Sequence, residues 1–274
     1  MKRMILLFLL TFSVSILPAK TVDAPRNSAE TDKNSNIRQA GERLLIITRH
    51  CQQSGKRKGY IRPIPDDAGI TELGIKQARM LGKELKKLNF NGRIYTSPYF
   101  RTVATGSYAA MECNSKVYPD ARVQRRCRRN NGNLKNGGAS LARLRELFPD
   151  AIADDARLAD DWMLKKFETD EDQLARTGAA VKELLQESSG DILIVCHGTG
   201  VYSYYLNLTG KKPSDTIWNC AIFKFAVDKK GNIRFLGYDH SFMPDEEVTS
   251  NLGGSLLKKR AEKAKNPEKY LDSK

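Results

Sequence analysis

The sequence predicts an α/β fold: a three-layer sandwich with a largely parallel central sheet, helices on both faces and a β-hairpin at one edge. Two observations carry this expectation. Leu44-Leu45-Ile46-Ile47 and Ile192-Leu193-Ile194-Val195 are unbroken apolar runs bounded by polar sequence, as strands covered on both faces require. Segments with apolar residues at helical spacing alternate with such runs, which is the order of a parallel sheet. A third observation places chemistry on this frame. Both runs end in a histidine, His50 and His197, and open α/β sheets bind ligands at the carboxyl ends of their strands.

The chain begins with Lys2 and Arg3, an apolar stretch from Met4 to Leu17, and Pro18-Ala19. This reads as a signal peptide over residues 1–19, too short for a membrane span. Cleavage fits after Ala19, or after Ala24 with Val22 at the −3 position. The expected location is secreted or periplasmic, with no stable membrane span after cleavage. Residues 20–42, rich in Asn, Ser, Asp, Lys and Arg, read as a flexible leader. A domain over 43–255 follows, with a basic tail over 256–274.

Within the domain, the first strand ends at Arg49-His50 and passes into a polar loop, Cys51 to Gly69, carrying Lys56, Arg57, Lys58 and Arg62. Thr71 is a fitting N-cap for a helix whose apolar face is Ile75, Ala78, Leu81, Leu85 and Leu88. Asn91-Gly92 ends it, and Arg93 to Thr96 forms a strand. Ser97-Pro98 turns into a second helix with Arg101 in its first turn. Lys116-Val117-Tyr118 is a brief strand. Residues 120–138 read as a basic insertion outside the core, with Arg122, Arg125, Arg126, Arg128 and Arg129 crowded ahead of an Asn- and Gly-rich stretch. Helices follow near 140–148 and 171–188. The strand ending at His197 opens into a further helix at Gly198-Thr199-Gly200. Two alternating runs around Lys229-Lys230-Gly231 form the hairpin.

The formal net charge of this 274-residue chain is +14, which suits anionic partners or a solvated basic surface. Few aromatic residues interleave with the arginines and no binding motif is present, so nucleic acid is not an expected partner. Five cysteines leave one unpaired in an exported chain. Cys113 and Cys127, on one excursion between elements, are the candidate disulfide, and Cys220 is expected as a buried thiol.

Two histidines and two arginines brought together suit phosphoryl chemistry. Guanidinium groups bind phosphate bidentately. A neutral imidazole can attack phosphorus, and a second can donate to phosphoryl oxygens as charge develops. Such a site requires neither metal nor cofactor.

Four segments then resemble, in order, the motifs of the histidine phosphatase (phosphoglycerate-mutase-like) superfamily. They are Thr48-Arg49-His50, Ile70-Thr71-Glu72-Leu73-Gly74-Ile75-Lys76-Gln77-Ala78, Ile94-Tyr95-Thr96-Ser97-Pro98-Tyr99-Phe100-Arg101-Thr102 and Val195-Cys196-His197-Gly198. The resemblance spans roughly residues 44–243. It implies that His50 is the phosphorylated nucleophile, and that Arg49, Arg101 and His197 complete the phosphate pocket.

The chain departs from that family in three places. Cys51 follows the nucleophile where the family usually has Gly, which implies a narrowed pocket or an oxidisable thiol; the steric reading is preferred. Gln52 replaces a commoner acidic or small residue. The family's Glu proton donor has no clear counterpart, leaving Asp120, Glu112 and Glu146 as candidates. His240 is read as a surface or structural histidine.

The function expected is an exported phosphomonoesterase for a phosphorylated, anionic small molecule, acting through a phosphohistidine. Arg62, Arg125 and Arg128 are the expected substrate-binding residues, and a substrate with more than one negative charge is favoured. The alternatives are a mutase-like phosphotransferase and a catalytically weak anion-binding member of the fold.

Overall fold

The computed structural model describes residues 38–55, 63–130, 132–250 and 255–265. The expected signal peptide, the expected leader up to residue 37, Lys56, Arg57, Lys58, Arg62 and the tail beyond 265 lie outside the described residues.

The sheet is built from β1 (Arg43–Arg49), β2 (Gly92–Thr96), β3 (Lys116–Pro119), β4 (Asp191–Cys196), β5 (Ile222–Val227) and β6 (Ile233–Asp239). Its order is β3-β2-β4-β1-β5-β6. The first four strands run parallel, and the β5–β6 hairpin adds antiparallel to β1 and forms one edge. The helices are α1 (Glu72–Lys87), α2 (Phe100–Cys113), α3 (Leu141–Leu147), α4 (Asp170–Glu187), α5 (Gly198–Thr209) and α6 (Leu256–Lys265). Among the described residues, no helix is long and apolar enough to cross a membrane.

Alternation along the strands builds two cores. Leu44, Ile46, Ile94, Leu193 and Val195 face Leu81, Leu85, Val103 and Leu144 of α1, α2 and α3. Leu45, Ile47, Ile192, Ile194 and Cys196 face Val181, Leu184, Val201 and Tyr204 of α4 and α5. Strands with apolar residues at every position therefore bury both faces.

The basic insertion departs from the expected solvated loop. Val123 and Cys127 within it are buried. Leu134 joins Tyr99, Trp162 and Met163 in a small third core. Glu168 accepts from Cys127 N at 3.0 Å and pairs with Arg176 at 2.7 Å, tying the insertion to α4.

The expected Cys113–Cys127 disulfide is not formed, and both thiols are free. The topology separates them. Helix α2 starts at the carboxyl end of β2 and runs back, leaving Cys113 beside the start of β3. Cys127 follows the far end of β3, where its thiol donates to Leu164 O at 3.1 Å.

Candidate active site

Parallel pairing sets Arg49 opposite Cys196, so the next residues, His50 and His197, emerge side by side. Their ring centroids are 5.4 Å apart, edge to face. A pocket of about 540 Å³ opens there. Arg49, His50, Arg101, His197, Arg125 and Arg128 all line it, together with Gln53, Gly198, Thr199, Tyr202, Asp215, Ile217 and Ser250.

The state of His50 follows from its partners. Its Nδ1 lies 2.8 Å from Cys51 O. A carbonyl only accepts, so Nδ1 carries the proton and Nε2 keeps a free lone pair. Burial, with Arg101 and Arg49 nearby, holds its pKa well below the ordinary value, so the ring is neutral near pH 7.

The loop after His50 is held by two helices. Thr105 of α2 accepts from Cys51 N at 2.9 Å and donates to Arg101 O at 2.6 Å. Gln77 of α1 accepts from Gln52 N at 2.8 Å, and Thr71 N donates to Gln52 O at 3.1 Å. A Cβ at Gly74 would stand 2.4 Å from Gln52 O, so only Gly allows this approach. The Thr71, Gly74 and Gln77 spacing is therefore the means by which α1 clamps the loop that follows His50.

Both terminal nitrogens of Arg101 are directed by neighbours. Its Nη1 donates to Asp67 Oδ1 at 2.8 Å and its Nη2 to His197 Nδ1 at 3.1 Å. A guanidinium only donates, so His197 Nδ1 is bare and its Nε2–H faces Ser97 Oγ at 2.9 Å. Both nitrogens of His197 are thus engaged with protein, and in this arrangement it orients Arg101. Burial and Arg101 keep His197 neutral.

Two donors are left over. Among the described residues, the buried Nε of Arg49 and of Arg101 have no partner. Arg49 Nη1 donates to Ile217 O at 3.0 Å, and its pKa is lowered to about 10 by burial and by Arg101. Unpaired buried donors of two cationic groups are what an anion would satisfy. The backbone of Gly198 and Thr199 at the start of α5 adds N–H groups to the same pocket.

The arginines of the insertion divide. The pKa of Arg125 is lowered by burial and by Arg101, which places it in the cationic cluster, and Arg128 lines the pocket from an exposed position. Arg126 pairs with Asp170, and Arg122 with Asp120, Glu183 and Glu187.

None of the three candidate proton donors lines the pocket. Asp120 caps the short turn at Arg122 and pairs with that side chain. Glu112 pairs with Arg79 at 3.4 Å and Glu146 with Arg143 at 2.7 Å. Cys51 does not narrow the pocket: its side chain joins the core against Gly74, and burial pushes its thiol up to about 12, which makes it inert. Gln52 bonds Thr71 and Thr249. His240 stacks edge-on to Tyr238 and is not among the pocket residues.

Sequence reasoning missed Asp67, Ser97 and Thr105, which act on the pocket through Arg101, His197 and Cys51. Asp67 gave no sequence signal beyond a carboxylate in a strand-end loop.

A family model described as the histidine phosphatase superfamily (branch 1) matches residues 45–234. No curated protein matches the sequence. Among solved structures, the ecdysone phosphate phosphatase of Bombix mori is 15% identical, with 77% of this chain and 97% of that one covered and a TM-score of 0.56. A phosphoserine phosphatase of Entamoeba histolytica is 18% identical, with 72% and 97% covered and a TM-score of 0.48. At 15% identity the likeness to the first is one of fold.

Proposed function

The chain belongs to the histidine phosphatase superfamily (branch 1), and from that premise we propose that it is an exported phosphomonoesterase acting through a phosphohistidine at His50. The observation that carries this reading is the His50 Nε2 lone pair beside two buried, unpartnered guanidinium donors. Those donors, with Arg125, neutralise a phosphoryl dianion and align it for in-line attack. Nε2 attacks phosphorus as the bond to the leaving oxygen breaks. Water then attacks the phosphohistidine, and His50 departs as the neutral imidazole with inorganic phosphate as product. His197 holds Arg101 in place through both steps.

Export rests on the N-terminal signal pattern, and it disfavours the mutase alternative, which must retain a phosphorylated intermediate. The weak anion-binding alternative is favoured by the pocket's carboxylates, of which the described residues supply one, the exposed Asp215.

Turnover of p-nitrophenyl phosphate tests these readings. Wild type should release phosphate without added metal and trap an acid-labile, base-stable phosphoenzyme. His50→Asn should remove both. Full activity in His50→Asn would sink the mechanism, and binding without turnover in wild type would leave the anion-binding reading.

A further inference from the structure

We infer, resting on the phosphohistidine reading, that the substrate is an aryl phosphate whose apolar ring body occupies a groove beside the phosphoryl site. The groove, of about 500 Å³, runs between α4 and α5 and has Leu174, Leu206, Ile217 and the Tyr202 ring in its wall. It shares Gly198, Thr199, Tyr202 and Ile217 with the pocket that holds His50. A molecule with its phosphoryl group at His50 can therefore extend into it without leaving protein contact, and its size suits one or two rings. Glu171 and Asp170, the latter paired with Arg126, also line it. No cation lines the groove among the described residues and Glu171 adds a negative charge, so the occupant is the uncharged body of the leaving group.

The chemistry of departure points to the same class. The one carboxylate lining the pocket among the described residues is Asp215, exposed at the rim, where it accepts from the Ser214 hydroxyl at 3.1 Å. The internal segments outside the description, 56–62, 131 and 251–254, contain no Asp or Glu. Among the described residues, no carboxylic acid other than the exposed Asp215 lines the pocket to protonate a leaving oxygen. A phenol, with a pKa near 10 like the tyrosine side chain, departs as the phenolate, whereas an alkoxide is far more basic and needs a general acid. In the first step the His50 Nε2–P bond forms and the P–O(aryl) bond breaks, its electron pair leaving on the phenolate oxygen. The phenolate takes its proton from solvent. Water then cleaves the N–P bond, and the sum is aryl phosphate plus water giving phenol plus phosphate.

The experiment compares phenyl phosphate, 2-naphthyl phosphate and O-phosphoserine, with a series of ring-substituted phenyl phosphates. The naphthyl ester should exceed the phenyl ester by about tenfold in kcat/KM, the order that one added apolar group contributes in a pocket. Both should exceed phosphoserine by on the order of 100-fold or more, and rates in the series should fall steeply as the phenol pKa rises. Leu174→Gln and Leu206→Gln, both at half-buried positions, should bring the naphthyl-to-phenyl ratio towards one. A naphthyl ester no better than phenyl, or phosphoserine turned over as fast as the aryl esters, overturns the inference. Either result leaves the phosphohistidine reading intact if His50→Asn abolishes all turnover. Aryl turnover surviving in His50→Asn overturns both.

Discussion

Arg101 is the side chain through which most of the pocket is wired. Asp67 accepts from its Nη1 at 2.8 Å, from Phe100 N at 2.6 Å and from Ala68 N at 2.8 Å. It therefore fixes the guanidinium and the first turn of α2 together. Asp67→Asn keeps the shape but strips the counter-charge from a buried cation. We expect it to cost about 3–5 kcal/mol of stability, with part recovered in saturating inorganic phosphate, because an anion re-pairs Arg101. Denaturant midpoints with and without phosphate measure both, and an unchanged midpoint would reject the role. The insertion's arginines separate in the same way. Arg125→Ser should lower kcat/KM for p-nitrophenyl phosphate by roughly 10–100-fold, since its charge acts on the reacting group. Arg128→Ser, at an exposed position, should raise KM with kcat nearly unchanged, an effect that shrinks at high salt. Arg126→Ser, which breaks the pair with Asp170, should alter neither constant. Equal losses in all three variants would mean that the insertion merely supports the pocket.

At the scale of elements, α1 and α2 hold the loop after His50 from two sides. Helix α2 carries Arg101 into the pocket and, one turn on, Thr105 under Cys51 N. Helix α1 enters through an N-cap at Thr71, which accepts from Gly74 N at 2.9 Å, and then grips the loop at Gln77. Gly74 lets the helix approach that closely. Gly74→Ala should push Gln52 outward, costing about 1–3 kcal/mol of stability through overpacking. It should also cost on the order of 10–100-fold in kcat, because small displacements of a nucleophile are expensive. Thermal unfolding and steady-state kinetics together test this; a fall in stability with kcat intact would show that the loop can move without moving His50.

Over the whole molecule, folding buries two imidazoles in a cationic cavity, so stability depends on pH. Folded His50 and His197 have pKa values well below the unfolded value of about 6.5. Between those values the unfolded chain binds protons that the folded chain does not. Stability is therefore full above about pH 6.5 and falls as pH drops, by up to ~1.4 kcal/mol per pH unit for each group. Between about pH 7 and pH 5, wild type in phosphate-free buffer should lose more stability than His50→Asn does, by about 1–2 kcal/mol. An equal loss in the two proteins would place the titration elsewhere.

The sheet and its two strand-end histidines are legible in the chain of residues alone. Unbroken apolar runs such as Ile192 to Val195 bury on both faces whatever surrounds them, and their ends must meet at one edge of a parallel sheet. The residues alone also determined the N-cap at Thr71, whose hydroxyl bonds backbone three residues on, because capping is local chemistry. Only the tertiary structure decided which arginine does what. Arg125 and Arg126 are neighbours in sequence, yet one lines the pocket at His50 and the other pairs with Asp170. Asp67 and Arg101, 34 residues apart, became partners only when the strand-end loop folded over α2. The distance between Cys113 and Cys127 was likewise set by the direction in which α2 runs, not by their spacing. Periodicity and capping act within a few residues, whereas ion pairs are fixed by where the chain returns, and that return is a property of the packed whole.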